Sequence, residues 1–469
     1  MNTIPILHHL KPNDNQRNSK IAWDVGPARP AHAASVKSVG IFGQMTGSRA
    51  TDIIADDVEV PGNSATQDAR EKLLKATSEF EAILTPDETS QITFLGTPQS
   101  EETIYNKIRK REYSRRIWPA RVPTADKLGA YYGDLDPEIQ KMFEQGKHWQ
   151  PTDPLRFNDE ELTTRQLTYG NSGFMLQFML DTTLSDQERY PLKLSDLIVM
   201  NTHNEKAPIL VQYGSGQEQA IKDLKNIGFT GDRFYRPLFM DTDNWAPYEG
   251  SVMYIDPSGR GTDQTAYAVV KQLHGMLFVT DVGGFQGGYE DTTLLMLARV
   301  AKYEKVNEIV IESNFGDGMF AKLFLPVLKK YHNCAITEDR SKTQKELRII
   351  DTLEPVMNRH KLIVNEEVVR REQKLIENDE KLIHYNLFYQ MTRLTKDRGS
   401  LKHDDKIDAL AGAVQYWLNS MSRDETEAVA DWKANDLEKS INDFLGHVLG
   451  LEEGSSALSS GGNQWNPRL

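Results

Sequence analysis

The chain has 469 residues, with 55 Lys and Arg against 68 Asp and Glu, a net charge of −13 and a single cysteine. One thiol excludes an internal disulfide and a cysteine-based zinc site, no apolar run approaches the about eighteen residues of a membrane span, and the N-terminus lacks the charged-then-apolar order of a signal peptide. The acidic surplus argues against a broadly basic surface, so contact with phosphate would need local positive patches, while a 39% apolar fraction supplies two or three cored domains.

The first strand expected lies in Ser48 to Glu59, where Ile53, Ile54 and Ala55 run into Asp56 and Asp57. An apolar strand ending in acids is similar to a Walker B strand, in which the first acid helps hold Mg²⁺ and the next polarises the attacking water. By position Asp56 takes the metal-associated place and Asp57 the catalytic one, with Glu59 a weaker candidate for the second role. A second apolar strand, Ile92 to Leu95, ends in the polar turn Gly96-Thr97-Pro98-Gln99. Lys107, Arg109, Lys110, Arg111, Arg115 and Arg116 then crowd around Tyr113 and Trp118, a patch suited to phosphate but equally to a solvated helix face. A phosphate-binding loop needs a Gly-rich turn closing in Lys and Ser or Thr, and no Gly-Lys-Ser or Gly-Lys-Thr occurs. Thr202 to Gly250 reads as a polar, Gly-containing connection.

Past that connection the elements become regular. Val252 to Ile255 is a short strand ending at Asp256, followed by strands over Thr265 to Leu273 and Met276 to Val282 whose two-residue link His274-Gly275 suits a hairpin. An amphipathic helix around Thr293 to Ala301 precedes a strand from Glu308 to Ile311 that delivers Glu312. Helices over Met319 to Tyr331 and Lys345 to Met357, a strand at Lys361 to Val364 and a helix from Asp405 to Leu418 complete the unit. Three acidic islands sit at these ends: Asp256 to Asp263, Glu312-Ser313-Asn314 and His403 to Asp408. Alone, the first is a good turn, the second a helix cap and the third a solvated helix start. Together they are how a protein holds two divalent ions about 4 Å apart for phosphodiester hydrolysis, with oxygen ligands favouring Mg²⁺ or Mn²⁺.

In the third island Asp404 and Asp408 are four apart and Asp405 and Asp408 three apart, so one helical face can carry two of them. Asp404 is also placed to cap the helix. Asp405 and Asp404 therefore rank ahead of Asp408 as partners of Asp256 and Glu312, with all three kept as candidates. His403 is placed to orient a carboxylate or protonate a leaving group. Arg260, within the first island, and Lys342, Lys345 and Arg348, leading a helix near the site, are the candidates for touching nucleic acid.

Ile-Asp-Pro-Ser-Gly-Arg-Gly from Ile255, Glu-Ser-Asn-Phe-Gly-Asp-Gly-Met-Phe from Glu312, Asp-Thr-Leu-Glu-Pro-Val-Met from Asp351 and His-Asp-Asp-Lys-Ile-Asp-Ala-Leu from His403 resemble the large terminase subunit, in particular the DNA maturase B type of short-tailed double-stranded-DNA phages. The resemblance runs from about Arg17 to about Leu418. It implies an α/β chain in which a P-loop ATPase-like domain, here expected to lack the N-terminal Walker A portion, is followed by a ribonuclease H-like nuclease domain. The implied arrangement is a partial ATPase over 1–195, a linker or hinge over 196–250, the nuclease over 251–420, and a charged helix with a flexible tail over 421–469. In the family the segment at Thr97 is a coupling motif that senses the γ-phosphate, so Asp56, Asp57 and Thr97 are the expected contacts for ATP and its Mg²⁺. The chain alone is expected to turn over ATP poorly or not at all.

The activity implied is cleavage of concatemeric double-stranded DNA by two Mg²⁺ or Mn²⁺ ions, coupled in the complete protein to ATP-driven translocation of DNA into a procapsid. The implied partners are DNA, a portal protein, a small terminase subunit and further copies of the chain, as a ring on the portal, with no membrane. The implied location is the host cytoplasm and, transiently, the portal vertex. A junction resolvase would share the metal chemistry but would not account for the Walker B-like segment, and a non-catalytic assembly remnant would fold without binding metal.

Overall fold

The computed structural model describes residues 4–29, 31–45, 47–258, 263–313, 318–340 and 343–419. The chain divides into two compact units, Met1–Val414 and Gln415–Leu469. In the second, residues 415–419 are helical; the described strands and acidic residues of the three islands belong to the first.

Two strands, β1 (Asp52–Asp56) and β2 (Gln91–Leu95), pair in parallel, with Asp56 opposite Leu95. Their connection contains α1 (Gln67–Ile83), which starts at Thr66, whose hydroxyl accepts the Ala69 N–H, and buries Leu73, Phe80 and Ile83. Such a cap satisfies one of the free donors at a helix start. The long helix α2 (Asp159–Gln177) is broken at Gly170, whose φ of 70° with ψ of 172° is a combination that only glycine adopts readily.

Seven strands form the main sheet: β3 (Ile198–Met200), β4 (Gly250–Asp256), β5 (Gln264–Leu273), β6 (Met276–Gln286), β7 (Glu308–Glu312), β8 (Ala335–Asp339) and β9 (Leu362–Asn365). Their spatial order is β8-β7-β4-β5-β6-β9-β3. The central three are antiparallel and every outer pairing is parallel, so β5 alone runs against the rest. The β5–β6 link is the expected hairpin: His274 and Gly275 have φ of 48° and 74°, the positive pair that a type I′ turn requires. This is the strand and helix order anticipated for a ribonuclease H-like domain. Two strands went unread. β8 is largely exposed and has no apolar alternation, and β3, only three residues long, lies inside the stretch expected as a connection yet is fully buried at the sheet's far edge.

Side chains alternate across a strand, and here the two faces divide the work. Met253 and Ile255 of β4, with Ile309 and Ile311 of β7, pack against Leu294, Leu297 and Ala298 of α3 (Asp291–Tyr303) and Phe320, Phe324 and Leu328 of α4 (Met319–Tyr331). Tyr254 and Asp256 point the other way, as do Val310 and Glu312. That second face meets α5 (Lys345–Asn358) and, after α6 (Glu366–Asn378) and α7 (Leu387–Arg393), the helix α8 at residues 405–414. Gly412 lets α8 lie on the sheet, because a Cβ there would sit 2.5 Å from the Tyr254 ring.

Candidate active site

β4 and β7 are parallel with Ile255 opposite Ile311, so the next residues, Asp256 and Glu312, leave the same end of the sheet side by side. α8 brings the third acid. The carboxylate oxygens of Asp256, Glu312 and Asp408 lie within 4.8 Å of one another, and the latter two residues are buried. Of the three acids in the last island, it is therefore Asp408 that joins Asp256 and Glu312, reversing the order expected from spacing. Asp404 does sit at the helix start, its carbonyl accepting the Asp408 N–H at 2.9 Å. Asp405 turns to a neighbouring trio with Asp263 and His403, again within 4.8 Å, and accepts the Gln264 N–H at 3.1 Å. His403 faces Asp263 through Nδ1 at 3.1 Å and stacks on Tyr385.

Two cations from α5 enter the acidic cage. Lys345 Nζ stands 2.8 Å from Asp404 Oδ1, 2.9 Å from Asp408 Oδ2 and 3.8 Å from Asp256 Oδ2. Arg348 donates to Asp408 Oδ1 at 2.5 Å and lies 3.7 Å from Glu312. Asp408 Oδ2 has the Lys345 ammonium at 2.9 Å as an ion-pair partner but makes no regular hydrogen bond. Both residues were expected to face nucleic acid; here their charges serve the acids. Arg260 lies outside the described residues, as do Asn314 and Lys342.

The electrostatics follow from crowding like charges in a space shielded from water. Burial, with Asp408, Glu312 and Asp405 adding repulsion against the pull of Lys345, drives the Asp256 carboxyl well above the usual range. Burial and Asp408 likewise raise Glu312, to which Asp256 hydrogen-bonds. Burial pushes Asp405 up to about 6. For Lys345, burial opposes the charge, but Asp408, Asp404 and Asp256 outweigh it and hold the ammonium firmly protonated. Three hard oxygens converging on one point, short of positive charge, with one oxygen lacking a hydrogen bond, fit a divalent cation.

At the other end of the unit, Asp56 and Asp57 lie beside Gly96 and Thr97, because the parallel pairing of β1 and β2 aligns their carboxyl ends. Asp57 takes a φ of 44° and donates its N–H to Leu95 O at 3.0 Å. Glu59 is committed elsewhere: buried, it accepts Gln99 N at 3.0 Å, the Thr103 hydroxyl at 3.0 Å and Ile104 N at 2.7 Å. The basic run that follows is largely engaged within the protein, with Lys107 on Glu102, Arg109 and Arg115 on Asp134 and Arg116 near Asp136. Sequence reading passed over Asp263 as a partner of His403; its position within the first acidic island was the available signal.

The chain is similar to several known proteins. Residues 255–362 match the family model of the ribonuclease H-like domain of the bacteriophage T7 terminase. The large terminase subunit of Enterobacteria phage T3 is 46% identical over 456 residues, covering 95% of this chain and 78% of that protein. Among solved structures, the large terminase nuclease of thermophilic phage G20c is 11% identical over 48% of this chain and 98% of its own, with a TM-score of 0.28. The nuclease domain of the large terminase subunit of bacterial virus Sf6 is 13% identical over 36% of this chain and 88% of its own, with a TM-score of 0.25.

Proposed function

The chain belongs to the large terminase subunits of viral genome packaging, and from that premise we propose that Asp256, Glu312 and Asp408 form the metal-holding centre of an endonuclease that cuts concatemeric double-stranded DNA. The observation that carries this reading is the convergence of three carboxylates from β4, β7 and α8 within 4.8 Å at the carboxyl end of the sheet. Divalent ions bound there, Mg²⁺ or Mn²⁺ and two in number, supply charge at the attacked phosphate and acidify the attacking water.

The protein's own groups do the rest. Arg348 holds Asp408 in place. Lys345 places an ammonium among the acids, a charge that would pass from the carboxylates to a phosphate oxygen were a divalent ion to take its place. His403, ordered by Asp263 and Tyr385, steadies the island from which Asp404 and Asp405 project, and these two acids are the further groups that would hold a second ion. In the N-terminal part, over 1–195, Asp56, Asp57 and Thr97 are the groups for ATP and Mg²⁺. The 196–250 stretch connects this part to the nuclease over 251–420. Portal protein, small terminase subunit and further copies of the chain in a ring are the proposed partners, in the host cytoplasm and at the portal vertex.

Plasmid cleavage in Mg²⁺ or Mn²⁺ tests the assignment. Asp256→Asn, Glu312→Gln and Asp408→Asn should each lose at least about 100-fold in rate while keeping the wild-type circular dichroism, and Asp404→Asn should lose less than Asp408→Asn. Wild-type cutting by Asp408→Asn would remove that residue from the centre.

A further inference from the structure

The chain enters α8 from α7 through residues 394–404, so the path of this segment sets where Asp404, Asp405 and Asp408 begin. It is held from two sides. From the nuclease side, Glu346 of α5, next to Lys345, accepts the Gly399 N–H at 2.6 Å. From the N-terminal side, the first residue of α1 grips it twice. Gln67 N, one of the donors a helix start leaves free, donates to Ser400 O at 3.1 Å. Two residues on, Lys402 N donates to Gln67 Oε1 at 3.0 Å. Gln67 is 4% exposed, and its Nε2 is engaged by Glu71 at 3.3 Å and by His384. Around it, the Lys402 ammonium reaches Glu71 at 3.2 Å. The residue after Lys402 is His403, followed by the acids themselves.

We propose that Gln67 is a positioning residue for the nuclease: its Oε1 fixes the Lys402 N–H, and through it the start of α8, so that an N-terminal helix sets the geometry of the metal-holding acids. This rests on the nuclease reading above. No other side-chain acceptor for the Lys402 N–H is seen among the described residues. Catalytic groups are held productively only within about 0.5 Å, and displacement by about 1 Å costs on the order of 100-fold. The bond from Gln67 N survives any substitution except proline, so removing the side-chain oxygen loosens the segment without cutting it free.

Gln67→Met keeps length and volume and removes the acceptor, whereas Gln67→Glu, made together with Glu71→Gln so that two carboxylates do not face each other, restores an oxygen to Lys402 N–H. In the full chain, Gln67→Met should raise the Mn²⁺ concentration for half-maximal plasmid cleavage about 10-fold and lower the rate at saturating Mn²⁺ about 10-fold, with the Gln67→Glu, Glu71→Gln variant within about 3-fold of wild type. Hydrogen exchange followed by mass spectrometry should show faster labelling of the 400–408 peptide in Gln67→Met alone, and Mn²⁺ binding followed by paramagnetic resonance should weaken in parallel. Should Gln67→Met not fold, Gln67→Asn, which draws the amide back by one methylene, takes its place. Unchanged exchange at 400–408 with unchanged Mn²⁺ binding would overturn the proposal, as would equal losses in the Met and Glu variants. A wild type that binds Mn²⁺ but does not cut would sink the nuclease reading instead, while exchange and binding would still decide the role of Gln67.

Discussion

Replacing Asp405 by Asn should stabilise the metal-free protein at neutral pH, and by less as the pH falls. Asp405 is 7% exposed, and burial pushes its carboxyl from the ordinary 3.8 up to about 6. Because the folded value lies above the unfolded one, folding favours the protonated acid. That contribution is fully present below pH 3.8 and is lost as the pH rises through 6. The gap corresponds to about 3 kcal/mol at pH 8. Asn carries no charge, and its amide oxygen still accepts the Gln264 N–H. Urea unfolding in EDTA at pH 4, 5, 6 and 8 should therefore show an advantage for Asp405→Asn that starts near zero and levels off at about 3 kcal/mol above pH 6. Added Mn²⁺ should nearly cancel the advantage at a hundred times the wild-type Kd, a gain of about 2.7 kcal/mol, and reverse the order at a thousand times, a gain of about 4.1 kcal/mol, where the variant does not bind the ion. A pH-independent advantage, or a less stable Asn variant at pH 8, would refute the account of this acid as buried against its charge.

Arg393→Met should cost about 3 kcal/mol in a urea titration, because Arg393 is buried on Glu102 at 3.0 Å and its loss leaves that largely buried carboxylate with Lys107, at 3.3 Å, as its remaining ion-pair partner. Burial alone would raise Glu102, but Arg393 and Lys107 pull it down to about 2; its contribution is thus present above pH 4.5 and lost toward pH 2, and acid titrations of wild type and Glu102→Gln should converge there. Lys345→Met should lower the melting temperature in EDTA by taking the ammonium from Asp404 and leaving Asp408 with Arg348 alone, and saturating Mn²⁺ should close most of that gap. Gly412→Ala should cost about 1–3 kcal/mol by overpacking against Tyr254, and Tyr254→Leu in the same chain should recover part of the loss in urea.

Much of the nuclease half was legible because its signals are local. The positive-φ turn at His274-Gly275, the apolar runs into Asp256 and Glu312 and the helix over Met319–Tyr331 each follow from the residues within them. The third acid was not, since spacing along a helix says which residues share a face but not which face is turned inward. That is decided by Gly412 against Tyr254 and by Arg348 on Asp408, contacts more than fifty residues apart in the chain. The same holds for Glu59, which by sequence suited catalysis beside Asp57 but is consumed by three hydrogen bonds from Gln99, Thr103 and Ile104. The run around Lys107 to Arg116 shows the limit of counting charges, because Asp134 and Asp136, which neutralise much of it, lie beyond the cluster.

The convergence of β4, β7 and α8 also governs when the chain can act during its own synthesis. Asp256 and Glu312 arrive on neighbouring strands well before residue 408 has been joined, so a ribosome-bound chain carries two of the three acids and no complete cage. Even a finished chain cut by a protease between Arg393 and His403 loses the tether that seats α8. The cage is therefore complete only once residue 408 has been joined and α8 lies on the sheet beside β4 and β7.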